Sequence, residues 1–242
     1  MQPPTILYCF PYAGASVGAF RPWAKALAPQ VDVRTVVRRG DEAAPDCATF
    51  IRQVGDELLA ECRPPYALYG HSMGAREAFE FAREARRRGH PPPVHLFVSG
   101  AAAPCFGAVR PFFAQEPDDV FIARLRFFGG MPSEALDDPK RMRVLLPLLR
   151  ADFARAESYR YVPDEPLDVP ISVWGGTDDL APIPHLAAWA DETRGVYRLR
   201  VLAGGHFFIW EHQERVLDAL ARDLARTLRE AEAPRASAAV AR

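Results

Sequence analysis

The chain has 242 residues, 49% of them hydrophobic and 25% charged, with a net charge of -1. That length allows one large α/β domain with a substantial core. The balanced charge gives no electrostatic case for binding nucleic acid or a membrane surface, and no apolar run approaches the ~20 residues of a spanning helix.

The N-terminus, MQPPTILYCF, has no basic segment ahead of its short apolar run, so it does not read as a secretory signal. A cytoplasmic location is expected. The four cysteines (Cys9, Cys47, Cys62 and Cys105) lack metal-ligand spacing and read as reduced thiols.

Along the chain, strand-like and helix-like patterns alternate. TILYCF (5–10) reads as a strand and is followed by a small-residue loop, CFPYAGASVGAF, and a helical pattern at about 20–28. VDVRTVV (31–37) precedes a helix at 48–61, and YALYG (66–70) precedes one at 74–88. VHLFVS (94–99), ISVWG (171–175) and VYRLRVL (196–202) read as further strands, with helices at 184–192 and 211–230. Several strands are apolar almost throughout, as parallel strands covered on both faces must be. The alternation implies right-handed βαβ crossovers and a mostly parallel sheet flanked by helices. No internal repeat is visible.

Residues 104–168 break that rhythm, because they separate two strands by far more than a crossover helix needs. DDVFIARLRFFGG and PKRMRVLLPLLRADFARAESYRY are helix-like within this stretch. A long insertion over a sheet reads as a helical lid or a binding segment. The domain is expected over 1–232, and the Ala-, Ser- and Pro-containing tail at 233–242 as disordered.

Gly70-His71-Ser72-Met73-Gly74 is a G-x-S-x-G motif between a predicted strand and a predicted helix. In that context the serine stands on a tight turn above the carboxyl edge of the sheet. Gly70 and Gly74 let strand and helix pack close, and the Met73 N–H lies at a helix N-terminus where an oxyanion would form. A serine hydroxyl needs a base, and this kind of fold supplies an acid and then a histidine later in the chain. WGGTDDLAP offers Asp178 and Asp179, and LAGGHFFIW offers His206 on a glycine turn, both at strand ends. Asp178 is favoured by its spacing from Gly175, and Asp179 makes the same spacing with Gly176. His71, His90, His95, His185 and His212 read as packed or solvated side chains. The loop after the first strand would give a second oxyanion donor, with Ala13 preferred over Tyr12.

The set FPYAGAS…F..W, YGHSMGA, LFVSGAAAP, GGMP, LPLLRADF…YRY, WGGTDD and GGHFF resembles the discrete type II thioesterases of polyketide and nonribosomal peptide synthesis. The similarity runs from about residue 5 to residue 225. It implies an α/β-hydrolase core with a helical lid, a triad of Ser72, Asp178 and His206, and a thioester held on the phosphopantetheine arm of an acyl or peptidyl carrier protein. It implies no metal and no bound cofactor, and a monomer is expected. The expected activity is removal of aberrant or stalled acyl or aminoacyl units. The alternatives are a chain-releasing or cyclising thioesterase, an esterase for small free esters, or an inactive carrier-binding scaffold. In one place the chain departs from the family: VVRRGDEAAP lacks the proline and first glycine of the usual PGRGxR loop. Arginines crowd the insertion (Arg124, Arg126, Arg141, Arg143, Arg150, Arg155) and the end of the helix after Ser72 (Arg83, Arg86, Arg87, Arg88), either as a solvated face or as a surface for an acidic carrier.

Overall fold

Six strands form one parallel sheet in the order β2-β1-β3-β4-β5-β6 in the computed structural model, which describes residues 3–37, 44–108 and 112–239. They are β1 (Thr5–Phe10), β2 (Val31–Thr35), β3 (Tyr66–His71), β4 (Leu96–Ser99), β5 (Ile171–Gly176) and β6 (Tyr197–Leu202). The helices in chain order are α1 (Arg21–Leu27), α2 (Cys47–Glu61), α3 (Met73–Arg87), α4 (Asp118–Phe128), α5 (Ser133–Leu136), α6 (Pro139–Glu157), α7 (Ile183–Ala187), α8 (Phe208–Glu211) and α9 (Gln213–Ala239). The family of folds is the α/β hydrolase.

The apolar strands explain the two-sided core. Tyr8 and Phe10 of β1, with Tyr66 and Leu68 of β3, pack on one face against α2 and α3 residues such as Phe50, Val54 and Phe79. Leu7 and Cys9, with Ala67 and Tyr69, pack on the other face against Trp23 of α1 and Val216 and Leu220 of α9. Alternate residues of one strand thus serve opposite clusters, as the pleat requires. The chain lays β2 on one side of β1 and then returns to add β3 on the other side. That reversal opens a crevice at the carboxyl ends of β1 and β3, where ligands of such sheets bind.

Between β4 and β5 the insertion carries α4, α5 and α6 and owns a separate apolar cluster: Phe113, Phe121, Leu125, Leu136, Met142 and Leu149. Asp138 begins α6 by accepting the N–H groups of Lys140 and Arg141.

Some boundaries differ from the sequence reading. β5 extends one residue beyond the expected 175, through Gly176 paired to Leu202. The expected helix at 184–192 is α7 followed by a 3-10 turn over Ala188–Glu192. The expected helix at 211–230 is two helices separated at His212. The bounds of α9 run on to Ala239, past residue 233 where the tail was expected to begin. Most of the loop that departs from PGRGxR, residues 38–43, lies outside the described residues. Among the described residues, no helix is long and apolar enough to cross a membrane.

Candidate active site

Ser72 occupies the turn between β3 and α3 with φ 56° and ψ -118°, the one non-glycine residue with positive φ among those described. Such a conformation costs on the order of 1–3 kcal/mol and persists only when its surroundings impose it. Here they do: the Ser72 N–H donates to the Ser99 carbonyl at 2.8 Å. The two motif glycines are required by close approach. A Cβ on Gly70 would lie 2.0 Å from the Gly74 carbonyl oxygen, and one on Gly74 would lie 2.1 Å from that of Phe10.

The turn holds the Ser72 hydroxyl 2.9 Å from His206 Nε2. His206 lies on the loop after β6, and its Nδ1 is 2.8 Å from Asp179 Oδ1. Asp179, not the favoured Asp178, is therefore the aspartate against His206. The reason is the length of β5. Because the strand continues through Gly176, the turn begins one residue later, with the Asp179 N–H directed to the Gly176 carbonyl. Asp179 is 1% exposed at its side chain and also accepts the Leu180 N–H. Asp178 is exposed, and among the described residues its carboxylate accepts only from the Thr177 hydroxyl, at 3.2 Å.

Met73 is the first residue of α3, so its N–H is one of those that helix geometry leaves without an intrahelical acceptor. Tyr12 and Ala13 line the same cavity as Ser72 and His206, and the next N–H, that of Gly14, is already donated to Asp152 of α6 at 2.9 Å. Both candidates for a second donor, Ala13 and Tyr12, thus face the cavity, and the fold ties their loop to the insertion.

His71, read from sequence as a packed side chain, is fully buried and stacks near the base: its ring centroid is 5.0 Å from that of His206. Its Nδ1 meets the Ser99 hydroxyl at 2.8 Å, and that hydroxyl also meets Tyr69. Burial, and then the charge of His206, hold its pKa well below the usual range. It remains a neutral neighbour that does not repel a protonated His206. His95 bonds Ser172 and Thr227 and His212 bonds the Ala203 carbonyl, away from the cavity, whereas His185 stacks on Phe106 at the cavity wall.

The cavity has a volume of about 750 Å³, with Phe113, Leu125, Phe128, Leu149 and Phe153 from the insertion forming its apolar roof. The roof touches the loops below at three places. Phe128 approaches His206, Gly130 abuts the Phe207 ring, and Leu149 abuts Gly14. At the base of α6, Arg155 bonds Asp152 and the buried Glu77 of α3, each at 2.9 Å. Two residues that sequence reasoning missed, Glu77 and Arg76, are charged positions inside the buried surface of α3. Their signal was two adjacent charges, followed by Glu80, interrupting an otherwise apolar helix, MGAREAFEFA.

A hydroxyl, an imidazole acceptor and a carboxylate in series, under an apolar roof and beside the first N–H groups of a helix, can perform acyl transfer.

Comparison with known proteins agrees in fold and sequence. The Thioesterase domain family model matches residues 5–224. The gramicidin S biosynthesis protein GrsT of Aneurinibacillus migulanus is 36% identical over 225 residues, 90% of this chain and 88% of that protein. Among solved structures, the RedJ thioesterase of the prodiginine pathway in Streptomyces coelicolor superposes with a TM-score of 0.84 at 35% identity, covering 91% of this chain and 92% of that one. The type II thioesterase BorB of the borrelidin cluster gives a TM-score of 0.82 at 34% identity, covering 91% and 94%.

Proposed function

The chain belongs to the thioesterase domain family and is a hydrolase of thioesters, and from that premise we propose that it removes acyl or aminoacyl groups from the phosphopantetheine arms of carrier proteins. The observation that carries the reading is the continuous hydrogen-bonded series Ser72–His206–Asp179 beneath a roofed apolar cavity. The names of its relatives, which belong to gramicidin S, prodiginine and borrelidin biosynthesis, support a megasynthase as the source of the substrate.

In the proposed reaction, Ser72 Oγ attacks the thioester carbonyl while His206 Nε2 takes its proton. The oxyanion accepts N–H groups from Met73 and Ala13, each worth roughly 3 kcal/mol in comparable sites. Collapse breaks the carbon–sulfur bond, and His206 returns the proton to the leaving thiol. Water then adds to the acyl-serine, again deprotonated by His206, and the products are a carboxylic acid, a free pantetheine thiol and regenerated Ser72. Asp179 keeps the imidazole in the tautomer that presents Nε2 to the hydroxyl and supports the imidazolium. The reaction needs no metal and no resident cofactor, since the pantetheine belongs to the partner. The role we assign is editing: clearing units that a synthase cannot extend.

The test is release of free thiol from acetyl- or propionyl-loaded carrier protein, and from the same acyl groups on pantetheine, beside p-nitrophenyl esters. Thioester turnover exceeding ester turnover supports the reading. Efficient ester hydrolysis with inert thioesters overturns it.

A further inference from the structure

Four residues after Ser72, one turn along α3, stands Arg76. It is 7% exposed, and among the described residues no carboxylate pairs with it. Its Nε has no hydrogen-bond acceptor, and its guanidinium lies 5.3 Å from the centroid of the Tyr159 ring. The Tyr159 hydroxyl is itself given to Glu80. The other buried arginines of this protein are treated differently: Arg83 bonds Glu80 and the Val162 carbonyl, and Arg155 bonds Glu77 and Asp152.

Arg76 lines the same 750 Å³ cavity as Ser72 and His206. Outside the series at Ser72, the carboxylate on that cavity wall is Glu157, and it is occupied by the N–H groups of Phe113 and Ala114. A guanidinium remains charged even where burial disfavours it, and an unpaired buried charge is costly. It is a site that a ligand's anion would complete.

We propose that Arg76 anchors the far end of the acyl group, and that the preferred substrates are thioesters whose acyl chain ends in a carboxylate, the monothioesters of dicarboxylic acids. The inference rests on the thioesterase reading above and specifies the substrate of the same site. The fork of the guanidinium matches a carboxylate through two parallel hydrogen bonds. An anion is also present on the phosphate of the carrier's arm, but that end of the arm stays with the carrier, whereas Arg76 is buried on the helix that starts at the nucleophile.

The experiment measures kcat/KM for succinyl-, glutaryl- and adipyl-pantetheine, each against its uncharged counterpart of equal chain length: butyryl, pentanoyl and hexanoyl. At the best length, the native protein should favour the acid-tipped chain by about tenfold or more, the scale of a charge-assisted hydrogen bond. Arg76→Met should cut that ratio by a similar factor, and Arg76→Lys should retain part of it. A purely structural Arg76 would lower both rates together and leave the ratio alone. Should Arg76→Met not fold, inhibition of the native protein by free glutarate against free pentanoate reads the same preference. A native ratio at or below one, or a ratio unchanged by Arg76→Met, overturns the assignment. So does an Arg76-dependent preference for hexanoyl-phosphopantetheine over hexanoyl-pantetheine without an acid-tip preference, which would assign the residue to the arm's phosphate. Failure of the thioesterase reading looks different: no thioester of either kind would be turned over.

Discussion

The carboxyl edge of the sheet and the insertion above it enclose one cavity from opposite sides, and they are built by different bonds. At the edge, backbone fixes the geometry. Ser72 donates to Ser99, Gly100 to Trp174, Thr177 to Leu202 and Asp178 to Gly204, so each loop is an extension of the ladder. The insertion is held by side chains: its own apolar cluster, Leu149 against Gly14, Asp152 on the Gly14 N–H, and Arg155 on Glu77. It also exposes Phe127, Val144 and Leu148. Chemistry that requires a fixed arrangement sits on the half held by backbone, and the apolar roof above it is held only by side-chain contacts, the kind of half from which local opening is expected first.

The comparison breaks most completely if the chemistry is not at the edge. Ser72→Ala should reduce thioester hydrolysis by several orders of magnitude with an unchanged circular dichroism spectrum, because one cavity-facing hydroxyl is removed. Retention of a tenth of the activity would move the nucleophile elsewhere. Next in size, Asp179→Asn should lower kcat by about 10⁴, as loss of the correct imidazole tautomer does in related triads. Asp178→Asn, at an exposed carboxylate, should cost less than about tenfold. A reversed ranking would mean that the hydrogen bond from His206 to Asp179 is not the working one.

How far the molecule can be read from its sequence follows the same division. The strands of the edge are announced by apolar runs such as TILYCF and YALYG, and Ser72 by the glycines that its turn demands. His206 is found by chain order and its glycine turn. The choice between Asp178 and Asp179 depended on whether β5 ended at Gly175 or Gly176, and strand ends are what local pattern defines least well. Glu77 and Arg76 were missed for another reason: their meaning comes from neighbours far along the chain, Arg155 for one and Tyr159 for the other. The insertion announced itself by length alone. Its helices are legible, but its clasp onto Gly14 and Glu77 is a tertiary pairing that no local pattern encodes.

That clasp sharpens the comparison at the next level. Arg155→Met would leave Glu77 buried without its partner, a change that typically costs about 3–5 kcal/mol and is readable by urea unfolding. Glu77 also gives a pH test. Burial pushes its carboxyl from 4.5 up to about 7, against the pull of Arg155. The folded state then holds that proton more tightly than the unfolded chain. Its contribution to stability is fully present below about pH 4.5 and is lost as the pH rises to about 7. Glu77→Gln should flatten the stability profile across that window, and an unaltered profile would show that the pair stays ionised. Hydrogen exchange should then order the two halves, with amides of α4 and α5 exchanging well before those of β1, β3 and β4. Equal protection would mean that the roof does not open independently.

The smallest effect concerns how the proposed carrier partner would find the roof. The arginines that suggested an acidic partner are mostly neutralised within the fold. Arg83 and Arg86 pair with Asp164, Arg87 and Arg88 with Glu84, Arg126 with Asp137, Arg141 with Asp138, and Arg150 with Asp118. Arg83 and Arg86 therefore tie α3 to the end of the insertion, and Arg87 and Arg88 are neutralised by Glu84 on α3 and Asp56 on α2, so the run does not form an open basic face. On α4 and α6, Arg124 and Arg143 are exposed, and among the described residues no carboxylate pairs with either. Arg124 lies 5.0 Å from the Phe113 ring, at the roof itself. Two exposed charges steer a partner weakly and are screened at physiological salt. Raising salt to about 0.5 M should lower kcat/KM on an acyl-carrier substrate by roughly threefold, through KM, and leave acyl-pantetheine unaffected. Charge reversal at Arg124 and Arg143 together should reproduce the selective loss, while reversal at Arg87 should not. A steep salt dependence that survives the double reversal would point to a docking surface away from the roof.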